Sequence, residues 1–306
     1  MGEILRDEPC GLLIVNKHAG CTSLDIVNKV RRLYGTKRVG HTGTLDPMAT
    51  GVLVVLVGRA AKAAELVPSD RKTYRARLRL GITTDTEDTT GAVLTQSTEI
   101  PDKSKVFETC REFVGEIMQV PPMYSALKIN GQKLVDIARR GGEVERKARP
   151  ITVFSLECRE TDRHDEYMLD VDCSGGTYIR TLCADIGKRL GCGGAMAALE
   201  RRAACGFSIE EAMTVDELAT LDESERMARL IPLSELFASL PSVTLSEFYE
   251  RLFRSGCEIY QKKIGTGFDA GTLVRVSGEK CGFFAVGQVR EYPDGTAIKS
   301  VKLFYL

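Results

Sequence analysis

Gly11-Leu12-Leu13-Ile14-Val15-Asn16-Lys17 is an apolar run of strand length, and Thr22-Ser23 follows it as an N-cap. Val27, Val30 and Tyr34 then fall on one helical face, and Gly35 marks the stop. Residues 38–51 are rich in Gly, Thr and Pro and precede a second apolar strand at 52–57, so the pattern predicts a loop held between regular elements. In residues 74–80 the side chains Ala76, Leu78 and Leu80 alternate with Arg75, Arg77 and Arg79. That period of two predicts a strand with a basic face, which needs an anionic neighbour or solvent. Residues 105–114 and 178–190 fit helices, 151–158 and 167–173 fit strands, and the acidic stretch 210–225 reads as a helix. After Pro232 and Pro241 the pattern turns to short strands at 273–276, 281–289 and 297–304. The expected class is mixed α/β (α+β), with a large unit at 1–242 and a small β-rich unit at 243–306.

Composition narrows the class of protein. With 306 residues, 43% of them hydrophobic and 27% charged, the chain is long enough for a full core and balanced like a soluble globular protein. No apolar run reaches the roughly 18 residues of a membrane span. The first residues carry acid where an export signal carries base, so a cytoplasmic location is expected. Ten cysteines without a CxxC pair read as buried thiols, and His18, His41 and His164 lack metal-ligand spacing. No metal is therefore expected. The 42 basic and 42 acidic residues cancel overall, yet residues 1–150 hold 24 Lys/Arg against 18 Asp/Glu, leaving the second half net acidic. Such separation permits a local electropositive face for a polyanion.

Candidate chemistry concentrates in two segments. In Gly40-His41-Thr42-Gly43-Thr44-Leu45-Asp46-Pro47 a single carboxylate stands between glycine-bearing turns, and Pro47 confines Asp46 to extended backbone. A carboxylate so aimed could act as nucleophile or general base; a plain Asp-Pro turn has the same letters. In Ser174-Gly175-Gly176-Thr177-Tyr178-Ile179-Arg180 a cation sits in the first helical turn, against the dipole, which calls for an anion nearby. Asp46 is the candidate partner, Asp185 or solvent the alternative. Pairing with arginine would lower the pKa of Asp46 by about 1–3 units and keep it ionised. Arg71-Lys72-Thr73-Tyr74 sets a ring beside basic charge, as unpaired-base binding needs. Asp85, Glu87 and Asp88 form a carboxylate cluster whose spacing is no EF-hand. Lys128, Lys133, Arg139, Arg140, Arg146, Lys147 and Arg149 make a basic stretch suited to an arm over a polyanion.

Taken together, these segments closely resemble the blocks of the TruB-type tRNA pseudouridine synthases. The run from Gly40 to Pro47 matches that family's active-site signature. Lys72-Thr73-Tyr74, Leu80-Gly81-Ile82-Thr83-Thr84-Asp85-Thr86 to Gly91, Pro121-Pro122-Met123-Tyr124-Ser125-Ala126-Leu127-Lys128, and Ser174 to Arg180 with Asp185 and Gly187 follow in its order. The resemblance covers about residues 10–255 and departs from the pattern at His18, where proline is common, and at Val135, where tyrosine is.

What the resemblance implies is conversion of uridine to pseudouridine in the tRNA T loop, at nucleotide 55. Asp46 would be the catalytic carboxylate, Arg180 its ion-pair partner and Tyr74 the ring on the target base. Tyr178 and Leu199 would belong to the pocket, His41 would pack beside the extruded nucleotide, and Lys17, Lys72 and Lys128 would contact RNA. The fold implied is a largely antiparallel sheet with a cleft, followed by a PUA-type RNA-binding domain at 243–306. The reaction changes no oxidation state, so no cofactor is expected. The implied partner is the tRNA T arm, bound by a monomer without an obligatory protein partner or membrane. Covalent and glycal routes both stay open, with a sugar-centred route favoured. Two other readings compete: an RNA chaperone that refolds tRNA, and a metal-dependent nuclease built on Asp85, Glu87 and Asp88.

Overall fold

A computed structural model describes residues 8–66, 71–129 and 131–304. Of the N-terminal stretch read above for export, only Glu8 lies within them. The opening pattern is present: β1 (Gly11–Lys17) is buried, and α1 (Ser23–Leu33) begins at Thr22, whose hydroxyl accepts the Asp25 N–H while Asp25 accepts the Thr22 N–H. The predicted loop contains one short strand, β2 (Val39–His41), which pairs with β3 (Thr50–Val57). Then come β4 (Lys72–Leu80), the hairpin of β5 (Ile82–Thr84) and β6 (Val93–Gln96), α2 (Lys103–Arg111) and β7 (Gly115–Gln119). A small hairpin, β8 (Lys128–Ile129) and β9 (Gln132–Lys133), leads into α3 (Leu134–Ala138). β10 (Arg149–Glu160), β11 (Glu166–Cys173), α4 (Ile179–Leu190), β12 (Gly194–Ala204) and β13 (Phe207–Ser208) complete the first layer.

Nine of these strands form one sheet in the order β1-β3-β12-β4-β11-β10-β7, with β2 beside β3 and β13 beside β12. Neighbours are antiparallel except β3 and β12, which run parallel. Val27 and Val30 of α1 and Leu182 and Ile186 of α4 pack on Leu53, Leu78, Leu169 and Met196 of the sheet. α4 can lie close to β12 because Gly187 faces Gly194; a Cβ at Gly187 would overlap that backbone. The arginine face of β4 finds its anions on β11 and the turn before it: Arg75 pairs with Asp170 at 2.8 Å, Arg77 with Glu166 at 3.5 Å and Arg79 with Asp165 at 3.6 Å. Their guanidiniums are open to solvent, so the pairs contribute only about 0.2–1 kcal/mol each.

The acidic stretch 210–225 is not one helix. Three capping boxes, Ser208 with Glu211, Thr214 with Glu217 and Asp222 with Glu225, each start a separate turn or short helix. They yield a 3-10 turn, α5 (Val215–Thr220) and α6 (Glu223–Ala228). A cap residue needs extended backbone, so each box breaks the helix before it.

From Ser242 onward the strands join a second sheet: β14 (Ser242–Leu245), α7 (Glu247–Arg254), β15 (Ile259–Tyr260), α8 (Gln261–Ile264), β16 (Leu273–Gly278), β17 (Gly282–Tyr292) and β18 (Gly295–Leu303). Its order is β14-β16-β17-β18-β15, around its own core of Phe253, Val274, Phe284 and Ile298. Val286 and Phe304 pack with Phe237 and the outer face of β1 and β3, joining the two layers. Among the described residues no helix is long and apolar enough to cross a membrane.

Candidate active site

The 42–49 loop is held one carbonyl at a time. Arg201, on β12 and 1% exposed, donates through Nη2 to the Gly43 carbonyl at 3.0 Å, Nη1 to Thr44 at 3.5 Å and Nε to Val52 at 2.7 Å. The Ser23 hydroxyl donates to the Leu45 carbonyl at 3.2 Å and accepts the Leu45 N–H at 2.9 Å. Lys17, with no exposed surface, donates to Ala49 at 2.6 Å, His18 at 2.9 Å and Pro47 at 3.3 Å. Gly51 lets β3 approach the Arg201 backbone, where a Cβ would collide. Asp46 sits at the centre of this loop, between the carbonyls so held. Arg201→Met is expected to leave three carbonyls without a donor and lower stability by about 2–4 kcal/mol, read from urea unfolding.

Asp46 and Arg180 meet. Arg180 donates Nε to Asp46 Oδ2 at 3.0 Å and Nη2 to Oδ1 at 3.2 Å, a side-on bidentate pair. The guanidinium is 6% exposed, whereas the Asp46 side chain keeps 31% open toward the cleft. Arg180 also donates to the Tyr124 carbonyl at 2.7 Å and the Thr86 carbonyl at 3.0 Å, and its Nη1 lies 3.9 Å from Asp88 Oδ2. The partner is thus Asp46, not Asp185.

The expected fall in the Asp46 pKa is reversed. Burial pushes its carboxyl above the usual value, and the nearby Asp88 adds to this, while Arg180 opposes both. Desolvation of the cleft floor outweighs the ion pair, and a guanidinium shared with Asp88 gives each carboxylate less than its full charge.

A cleft of about 520 Å³ opens above the pair. Tyr74 and Leu199 form its apolar wall, Tyr178 and His41 its sides, and Lys72 lies beside them. Lys72 and Tyr74 alternate onto one face of β4, while Arg71 turns away to Asp172 at 2.8 Å. Burial pushes the Tyr74 phenol up and the Lys72 and His41 groups down, with the Arg201 charge the next cause of lowering in both cations. His41 is thereby favoured as neutral imidazole, and its Nδ1 is buried with no partner among the described residues.

One expected RNA contact, Lys17, is placed otherwise. Lys17 does not line the cleft, because all its donors serve carbonyls beneath the catalytic loop. Lys128 is exposed on the β8–β9 hairpin, opposite Lys133, which with Arg139 of the same basic stretch lines the cleft. The carboxylates of the nuclease alternative have separate protein partners: Asp85 accepts the Ala92 N–H, Glu87 the Thr181 hydroxyl, and Asp88 the Thr86 and Thr90 hydroxyls. Among the described residues no three His, Cys, Asp or Glu side chains gather as a metal group. Residue-by-residue reading missed Arg201, Asp88 as the second carboxylate on Arg180, and Gln119, which holds the Tyr178 backbone. Only the adjacent Gly-Gly-Thr-Tyr turn could have hinted at the last.

The profile described as "TruB family pseudouridylate synthase (N terminal domain)" matches residues 31–179, and that described as "tRNA pseudouridylate synthase B C-terminal domain" matches 180–238. The chain is 47% identical over 247 residues to a tRNA pseudouridine synthase B of Dechloromonas aromatica, covering 80% of this chain and 82% of that one. With a tRNA pseudouridine synthase B of Clostridium kluyveri it shares 40% identity over 294 residues, 96% of this chain and 99% of the relative. In fold it resembles a chain in the solved "Crystal Structure of a Cbf5-Nop10-Gar1 Complex", with a TM-score of 0.75 at 24% identity over 96% of this chain and 85% of that one. A rigidly aimed carboxylate paired with arginine beneath an open cleft, the sheet around it and these matches lead to one conclusion: the chain belongs to the TruB family of pseudouridylate synthases.

Proposed function

We propose that the protein isomerises uridine to pseudouridine in the T loop of tRNA, at nucleotide 55, with Asp46 as the catalytic carboxylate. The observation that carries this reading is the Asp46–Arg180 pair, 134 residues apart in sequence and 3.0 Å apart on the cleft floor. The target nucleotide must leave its stack, which costs a few kcal/mol. Tyr74 and Leu199 offer it an apolar surface, and Lys72, Lys133 and Arg139 neutralise phosphate. Asp46, ionised, faces the nucleotide and either attacks C1′ of the sugar or assists proton removal at C2′. Arg180 holds the carboxylate's direction through both oxygens. The base, once detached, turns within the cleft and rejoins through C5, and the C5 proton is then released. The redox state is unchanged throughout. The small sheet that begins with β14 is proposed as a PUA-like RNA-binding module, and a single chain is proposed to suffice.

A basic cavity of about 560 Å³ lined by Lys37, Arg38, Arg59, Lys62 and Phe304 lies at the start of β2, whose far end carries His41 into the cleft. Glu8 pairs with Arg38 at 3.3 Å and offsets part of that charge. It fits the phosphates of RNA that extends beyond the bound loop. Lys62→Glu is expected to weaken tRNA binding several-fold and flatten the salt dependence by about one to two phosphate contacts, with the bound-state rate unchanged. Filter binding across a salt series checks this. The function itself is tested by nucleotide-resolution mapping of pseudouridine in tRNA from cells with and without the protein; a signal at position 55 independent of it would refute the proposal.

A further inference from the structure

Arg180 lies in the first turn of α4, and Tyr178, which precedes that helix, has no side-chain cap of its own. Two side chains from other elements, Gln119 buried and Glu87 half-buried, hold the turn instead. Gln119, at the end of β7 and 2% exposed, accepts the Tyr178 N–H through Oε1 at 2.8 Å and donates Nε2 to the Tyr178 carbonyl at 3.1 Å. A single side chain thus makes the two bonds that a neighbouring strand would make. On the other side of Arg180, the Thr181 hydroxyl donates to Glu87 Oε2 at 2.5 Å. Glu87 belongs to the turn between β5 and β6, and its carbonyl accepts the Met196 N–H at 3.0 Å, which anchors that turn to β12.

The backbone of Glu87 adds an independent observation. Its φ is 63°, a left-handed conformation that favours glycine, and one of two such non-glycine positions among the described residues. A side chain here works against the backbone, and among the described residues its hydrogen bond goes to Thr181, on the turn that bears Arg180. Neither Gln119 nor Glu87 lines the catalytic cleft.

We propose that Gln119 and Glu87 are positioning residues that pin the first turn of α4 on either side of Arg180, so that its guanidinium meets Asp46 side-on. The inference rests on the catalytic reading of that pair. Residues 178 and 181 are fixed from two directions, which leaves residue 180 little freedom to rotate about the helix axis. Misplacement of a reacting group by about 1 Å costs as much as 10²-fold in rate, so loss of either pin is felt in turnover rather than in binding.

The test compares Gln119→Ala, Glu87→Gly and Glu87→Gln with the wild type in single-turnover pseudouridine formation, tRNA affinity and thermal unfolding. Gln119→Ala and Glu87→Gly are each expected to slow turnover roughly tenfold or more, with tRNA affinity within about twofold of wild type. Glu87→Gln keeps an acceptor oxygen for Thr181 and is expected to restore most of the rate. Glu87→Gly also removes the left-handed strain, so it is expected to unfold close to the wild-type temperature, which separates lost positioning from lost stability. Unchanged turnover in Gln119→Ala and Glu87→Gly, a rate loss matched by lost affinity, or a Glu87→Gln variant as slow as Glu87→Gly would overturn the pins. Wild-type protein that forms no pseudouridine would instead overturn the catalytic reading, and the pins with it.

Discussion

Asp46→Asn is expected to bind tRNA about as well as the wild type while its pseudouridine formation falls by roughly 10³-fold or more. Asparagine keeps the shape of the side chain and an oxygen for Arg180, so the loop, held through its carbonyls by Arg201, Ser23 and Lys17, has no reason to move. What is lost is the negative charge and the nucleophilic or basic oxygen. Tritium release from 5-tritiated uridine in tRNA measures the step, and filter binding measures the affinity. Turnover near the wild-type level would remove Asp46 from the mechanism. The pH profile carries a second sign. Because burial raises the Asp46 pKa, the acid limb of kcat/KM is expected above the range of an ordinary aspartate, with the rate rising as pH climbs through it.

Arg180→Met is expected to be nearly as damaging, and in two ways. The guanidinium is buried and serves Asp46, the Thr86 and Tyr124 carbonyls and the flank of Asp88. Removing it leaves these carboxylates and carbonyls without the guanidinium they share. Breaking a buried pair from one side costs about 3–5 kcal/mol, and the lower end applies because Asp46 keeps 31% of its side chain open. Without the guanidinium the Asp46 pKa climbs further, so the acid limb shifts upward, and turnover falls by roughly 10²-fold or more even at pH values where the carboxylate is ionised. Arg180→Lys returns the charge without the two-pronged geometry and is expected to recover only part of the rate. A kcat/KM profile for the three proteins, beside urea unfolding, separates the effects. An acid limb unmoved in Arg180→Met would mean that the pair does not tune Asp46.

Asp88→Asn is expected to act in the opposite direction on the same limb. Asp88 raises the Asp46 pKa and shares Arg180, so its neutralisation leaves more of the guanidinium's charge for Asp46 and moves the limb downward.

The elements that could be read from the chain were those whose local signals agree. Thr22-Ser23 before Val27, Val30 and Tyr34 announces α1, the alternation of Arg75, Arg77 and Arg79 with Ala76, Leu78 and Leu80 announces β4, and the glycine-rich run around Asp46 announces a constrained loop. β12 was not legible, because Gly194 to Ala204 is built of Ala, Leu, Glu and Arg, which favour helix in isolation. It is a strand because β4 on one side and β3 on the other complete its hydrogen bonds. With β12 unread, Arg201 had no place in the site. The RNA contact that the resemblance implies for Lys17 is not realised, because the 42–49 loop folds over Lys17 and makes it a buried donor.

The amino-acid order by itself determined which residues are chemically able to act: a carboxylate locked by proline, an arginine placed against a helix dipole, a ring beside basic charge. Folding decided which of them meet and in what state of charge. Coulomb attraction between Asp46 and Arg180 follows from residue type, whereas desolvation depends on every atom packed around them, and here it is the larger effect on the carboxylate. No pattern along a chain encodes that quantity, because it is a property of the enclosing volume.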